Sequence, residues 1–181
     1  MGHEVTATLV IEPMAGRHID AVRAIDEQCY SRPWSAATWR SELAAPDRHH
    51  VIGRIDERLV AHAGSLLVVD ELHITTVAVD PACEGRGHAT RLCLELLAAG
   101  RTAGATAATL EVRAAARRTQ RLYARLGFAP AGVRAGYYDH PTDDAVIMWL
   151  DDLSRPETQQ RLDRLADELD RAVGPNQGAI R

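Results

Sequence analysis

The stretch "VDPACEGRGHATRL", residues 79–92, sets two glycines and an arginine between a β-branched apolar run and a helical pattern. A strand that turns through glycines into a helix limits the fold more than any other feature of the chain. Gly85 and Gly87 allow backbone angles that side chains disfavour, and they let a ligand approach the main chain. The first N–H groups of the following helix lack helical partners, and the helix dipole adds partial positive charge there. The pattern suits a phosphate. One alternative is a glycine turn that binds nothing. A second is a dinucleotide fold, with Glu111 on the next strand as a ribose-binding acid. That motif wants Gly-x-Gly-x-x-Gly directly after the strand. Here Thr90 stands at the third position, and five residues separate Val79 from Gly85. A third reading draws on more of the chain.

Hydrophobic periodicity orders the rest. Residues 5–12 alternate as a strand ended by Pro13, and residues 16–29 carry Ile19, Val22 and Ile25 at helical spacing. A short helix starts near Ser35, a plausible N-cap. Strands are expected at 49–56 and 58–69 around a turn at Asp56-Glu57, and at 72–79. Residues 88–103 read as a helix ending near Gly104, 106–113 as a strand, and 117–126 as a helix ended by Gly127. Two last strands, 128–138 and 144–151, flank a turn at residues 140–143. Ser154-x-x-Glu157 reads as a capping box with Pro156 in the first turn. Leu162, Leu165, Leu169 and Val173 then make an apolar stripe, stopped at Gly174-Pro175 before a loose tail. The order predicts a mixed α/β domain around one sheet over residues 1–153, with an added amphipathic helix and tail over 154–181.

At 181 residues the chain has room for one domain with a proper core. All 21 basic residues are Arg, which excludes any mechanism that needs a lysine, a Walker-type phosphate loop included. Cys29, Cys83 and Cys93 lack framework spacing and suggest free thiols in a reducing compartment. No signal sequence or membrane-length apolar run appears, so a cytoplasmic protein without a membrane partner is expected. A net charge of −4 argues against direct nucleic-acid binding. No His/Cys/acid cluster has metal-ligand spacing.

"AVDPACEGRGHATRL" resembles the coenzyme A loop of GNAT-superfamily N-acetyltransferases, whose pattern is Gln/Arg-x-x-Gly-x-Gly/Ala. "TLEVRAAARRTQRLYARLGFAPAGVRAGYY" is similar to the second half of RimI-type members, with their Leu-Glu-Val-Arg strand, Leu-Tyr helix, Gly-Phe and Arg-x-x-Tyr-Tyr. "RPWSAATWRSEL" resembles their Pro-Trp-Ser segment, and "DDAVIMWL" their last strand. The likeness runs in order over residues 5–150. It implies the GNAT fold with an added C-terminal helix, and acetyl transfer from acetyl-CoA, without a metal, to an amine. In RimI-type enzymes the acceptor is the N-terminal alanine of a ribosomal protein. A small-molecule amine is the enzyme alternative, and a non-catalytic acyl-CoA-binding or partner-binding module the other.

The resemblance also implies roles. The backbone of Val77 and Val79 would receive the pantetheine. Glu84, Gly85, Arg86, Gly87, His88, Ala89 and Thr90 would cradle the pyrophosphate. Outside the family pattern, Arg117 and Arg118 at the start of the next helix would either bind a phosphate of the coenzyme or simply be solvated. Glu111 matches the general base and Tyr123 the acid that protonates the departing thiolate. Trp34, Tyr137 and Tyr138 would border the acceptor groove. A carboxylate within an apolar strand should be partly desolvated; alternatively, Glu111 pairs with Arg113 or Arg134. Tyr123 could equally be core, Tyr137 and Tyr138 a strand-end aromatic pair, and Trp39 a clamp on the first helices. His73 and His88 are acid–base candidates by type, but a lone His is usually structural or solvated; His88, inside the loop, could also meet a phosphate.

Two departures stand out. Glu84 sits where the family has Gln or Arg, and its repulsion of a pyrophosphate falls to Arg86 and Arg91 to offset. Ala115 and Ala116 replace a Ser-Asn pair whose Asn helps hold the coenzyme. The stripe of the added helix should pack on its own domain or serve a homodimer.

Overall fold

The computed structural model describes residues 8–173; the expectations for residues 5–7 and 174–181, and for the Val173 side chain, lie outside them. Seven strands form one sheet: β1 (Val10–Pro13), β2 (Arg48–Ile55), β3 (Arg58–Val68), β4 (Glu71–Val79), β5 (Ala107–Arg113), β6 (Ala129–Tyr138) and β7 (Asp143–Leu150). Their spatial order is β1-β2-β3-β4-β5-β7-β6. Every neighbouring pair is antiparallel except β4–β5. That parallel step needs a crossover, which is α3 (His88–Thr102). The other helices are α1 (Ile19–Cys29), α2 (Ala36–Ala44), α4 (Arg117–Leu126) and α5 (Pro156–Val173).

Local chemistry explains the boundaries. Ser35 Oγ accepts from the Thr38 N–H at 3.0 Å and caps α2. Gly104 and Gly127, with φ of 102° and 105°, end α3 and α4 in the left-handed conformation that glycine adopts without strain. The turn at Asp56-Glu57 and the one before β7 are present. Pro13 is the last residue of β1 and pairs with Val51. One cap differs from expectation. The Arg155 carbonyl, not Ser154, receives the first helical bond of α5, from the Gln159 N–H at 3.1 Å. Pro156 occupies the first helical position, and the Gln159 side chain turns back to the Leu153 carbonyl at 2.7 Å.

Successive strand residues face opposite sides. Ile52 joins Met14, Ile19, Val22 and Trp39 under α1 and α2. Val51 faces the other core, with Leu92, Leu96 and Leu97 of α3 and Leu126 of α4. Leu162 and Leu165 of α5 are buried in that second core too, so these two stripe residues pack within the chain.

One irregularity shapes the centre of the sheet. Gly64 pairs with Thr76 but Ser65 pairs with Ile74, leaving Thr75 as an extra residue. Such a bulge bends and twists its strand. β4 and β5 pair only over Glu71–His73 against Ala107–Thr109, so they separate just where the bulge begins.

Candidate active site

The separation opens a cleft of about 500 Å³ between β4 and β5. Thr76 and Val77 line one wall, and Leu110 to Arg113 the other. Tyr123 of α4, Trp34 of the loop after α1, and Tyr137 and Tyr138 at the end of β6 complete it. Of the residues expected to act together, Trp34, Val77, Glu111, Tyr123, Tyr137 and Tyr138 share this cavity; Val79, Arg117 and residues 84–90 do not line it.

Glu111 lies on β5 with its carboxylate 3.4 Å from Arg134 Nη1, and 32% of its side chain is exposed. It is partly buried within a largely apolar strand, and of its two candidate partners it meets Arg134. The reason is register: β5 alternates, so Leu110 and Val112 enter the core while Glu111 faces the cleft. Arg113 takes no part in that pair. Its guanidinium lies 4.2 Å from the Tyr138 ring centre and donates to the Pro141 carbonyl at 3.0 Å. Tyr123 is buried, edge-on to Phe128 at 5.9 Å. Burial pushes its phenol well above the ordinary value, so it stays protonated. Tyr137 and Tyr138 stand edge to face at 5.0 Å, and the Tyr138 hydroxyl donates to the Glu111 carbonyl at 3.3 Å.

At the end of β4 the chain makes a short 3-10 turn, Pro81–Cys83, before the glycine loop. Gly85 and Gly87 both adopt positive φ, 79° and 81°. Gly87 is the N-cap of α3. A Cβ on Gly87 would fall 2.6 Å from Leu169, so α5 presses on the loop. Glu84 faces Arg118 Nη1 at 3.7 Å; that arginine, not Arg86 or Arg91, is its counter-charge. Arg91 instead binds Asp170 of α5 at 2.6 Å. Arg117 sits at the first position of α4, beside Gln120. His88 is buried, with neither ring nitrogen hydrogen-bonded. Burial, then Arg86 and Arg91, lower its pKa and keep it neutral. Ala89 and Thr90 follow in the first turn of α3. N–H groups without helical partners at the start of a 15-residue helix, two left-handed glycines and nearby arginines fit a pyrophosphate.

Sequence reasoning missed several groups. Trp39 is the expected clamp, but its indole N–H donates to Asp26 Oδ2 at 3.0 Å. Asp26 Oδ1 lies 2.7 Å from His62 Nε2, and all three residues are buried. Arg32 reaches Asp139 at 3.2 Å, joining the two loops that flank the cleft. Cys29 and Tyr30 touch the open edge of β4. None has a local motif; only the fold brings the partners together. His73 faces Glu71 at 3.6 Å. Among the described residues, no group of three or more His, Cys, Asp or Glu could hold a metal, and no helix is long and apolar enough to cross a membrane.

Comparison with known proteins gives this geometry a context. The model of the acetyltransferase (GNAT) family matches residues 19–128. The chain is 33% identical over 137 residues to the ribosomal protein bS18-alanine N-acetyltransferase of Salmonella typhimurium, covering 73% of this chain and 90% of that protein. It is 37% identical over 123 residues to the N-alpha-acetyltransferase RimI of Mycobacterium tuberculosis, covering 66% and 76% respectively. The crystal structure of the ribosomal-protein-S18-alanine N-acetyltransferase from Escherichia coli superimposes with a TM-score of 0.74 at 27% identity, over 80% of this chain and 94% of that one. The family match covers the loop, the bulged strand and both walls of the cleft, and with it the chain belongs to the GNAT family of acetyltransferases.

Proposed function

We propose that the protein transfers the acetyl group of acetyl-CoA to the α-amine at the N-terminus of another protein, with a ribosomal protein as the candidate acceptor. The observation that carries this reading is the bulged opening of β4 from β5. It leaves main-chain groups of β4, a carboxylate and a protonated phenol around one cleft, and α4, which lines that cleft, also carries Arg118, the partner of Glu84 at the head of the glycine loop. The similarity to enzymes named for bS18-alanine acetylation supports the choice of acceptor. On this reading the enzyme works in the cytoplasm, where ribosomal proteins are made.

Acetyl-CoA supplies an activated thioester; the chain supplies the rest. Val77 and Val79 offer N–H and C=O groups along the open edge of β4. The amides of residues 85–89 hold the pyrophosphate with the first turn of α3, and Arg86, Arg117 and Arg118 add positive charge. Glu111 takes the proton from the acceptor ammonium, directly or through one water, so that a neutral amine can attack. Tyr123, kept protonated by burial, gives its proton to the departing thiolate. Trp34, Tyr137 and Tyr138 border the acceptor side.

The test is calorimetric titration with acetyl-CoA, followed by thiol release with a short peptide that begins Ala-Arg. Binding with release that disappears in Glu111→Gln and Tyr123→Phe is expected. Binding with release only on small amines would move the acceptor to that class. No binding would end the reading.

A further inference from the structure

Where β4 leaves β5, its edge is not bare. The Tyr30 hydroxyl donates to the Val77 carbonyl at 2.8 Å and accepts from the Val77 N–H at 3.2 Å. It also lies 3.0 Å from Thr76 Oγ1. One residue earlier, Cys29 Sγ donates to the Val79 carbonyl at 3.4 Å. Val77 and Val79 are two apart, so their polar groups point along the same edge. The end of α1 thus satisfies groups that a neighbouring strand would otherwise take. Unpaired and buried, those groups would be costly.

We propose that Cys29 and Tyr30 form a removable cover on the open edge of β4, which the pantetheine arm of the acyl donor has to displace. The proposal rests on the acetyl-CoA reading above. Tyr30 lines the cleft and is 37% exposed, so it is not locked in a core. Its own N–H closes the last turn of α1 on the Asp26 carbonyl at 2.8 Å, so the side chain can rotate away while the helix stays. Burial of the hydroxyl end raises its pKa, so the donor proton is present across the physiological range. Burial also raises the Cys29 thiol, which therefore acts as an S–H donor rather than a thiolate. A cover of this kind lowers apparent affinity by the fraction of molecules in which the edge is free. It acts only on ligands that reach the edge, and leaves the glycine loop untouched.

Two ligands separate these effects. Coenzyme A carries a pantetheine arm; adenosine 3′,5′-bisphosphate carries the nucleotide end alone. Tyr30→Phe removes one oxygen and keeps the ring. Calorimetric titration should show coenzyme A binding roughly 2- to 12-fold tighter to Tyr30→Phe than to the parent, the value of one net hydrogen bond. The bisphosphate should bind both alike. Cys29→Ala should tighten coenzyme A in the same direction by less. Unchanged or weaker coenzyme A binding in Tyr30→Phe overturns the cover, as do equal shifts for both ligands. If the parent binds the bisphosphate but not coenzyme A, both the cover and the acetyl-CoA reading fall; parent binding with no tightening removes the cover alone.

Discussion

Arg118 Nη1 of α4 stands 3.7 Å from Glu84 Oε2 at the head of the glycine loop. The acid that replaces the family's Gln or Arg is thus neutralised from the neighbouring helix. Both side chains are more than half exposed, so salt screens the pair. Glu84→Gln should tighten acetyl-CoA binding by roughly two- to ten-fold at low salt, because Arg118 is then free for the phosphates. Arg118→Ala should weaken it by a similar factor. Titration at two salt concentrations checks both; the differences should shrink at the higher one.

Glu111 and Tyr123 line one cleft from different elements, β5 and α4. If they act as base and acid, Glu111→Gln and Tyr123→Phe should each lower kcat by roughly 10²- to 10⁴-fold. Coenzyme A affinity should change little. Steady-state thiol release, read beside calorimetry, distinguishes lost proton transfer from lost binding.

His88, His50 and His18 share one direction of shift. Burial is the largest cause for each and lowers each pKa from 6.5. The unfolded chain then binds more protons than the folded one just below pH 6.5. Stability should therefore hold at neutral pH and fall as pH drops through that value. Thermal midpoints between pH 7.5 and 5 measure the slope. His88→Leu should flatten it, because the neutral ring is buried without partners.

The buried Asp26–His62–Trp39 network joins α1, β3 and α2. Asp26→Ala would leave the Trp39 N–H and the His62 ring unpaired. A loss of about 3 to 5 kcal/mol is expected, as for a buried polar pair stripped of one partner. Asp26→Asn should lose less, since its carbonyl can still accept one bond. Urea denaturation gives both values.

Leu165 lies on α5 and is 5% exposed, in the core shared with α3 and α4. Leu165→Ala should cost about 2 to 5 kcal/mol. Because Leu169 of the same helix rests on Gly87, the change should also weaken acetyl-CoA binding. Stability and affinity moving together would support α5 as a prop for the loop; affinity unchanged would not.

Local rules carried most of the fold. Ser35, Gly104 and Gly127 mark helix ends whose chemistry is complete within a few residues, and each stands where its side chain or φ predicts. The α5 start was less legible: Ser154 carries the better capping side chain, yet the Arg155 carbonyl receives the first helical bond, and Leu153 just before it is fully buried. In the cleft, the register of β5 explains why Glu111 meets solvent and Arg134 although its neighbours are apolar. Tyr30 carried no signal at all: its partners, the Thr76 hydroxyl and the Val77 backbone, lie 46 and 47 residues away. The same holds for Arg91, expected to offset Glu84: its partner, Asp170, lies 79 residues on.

The short β4–β5 seam has a mechanical consequence. Three residue pairs join a plate of β1 to β4 to a plate of β5 to β7. Such a narrow joint lets the plates flex about residues 71–73, and a molecule lying along the gap becomes a dowel that stiffens the whole sheet. Amide exchange should therefore slow in β4 and β5 together, not in one plate alone, when coenzyme A is bound.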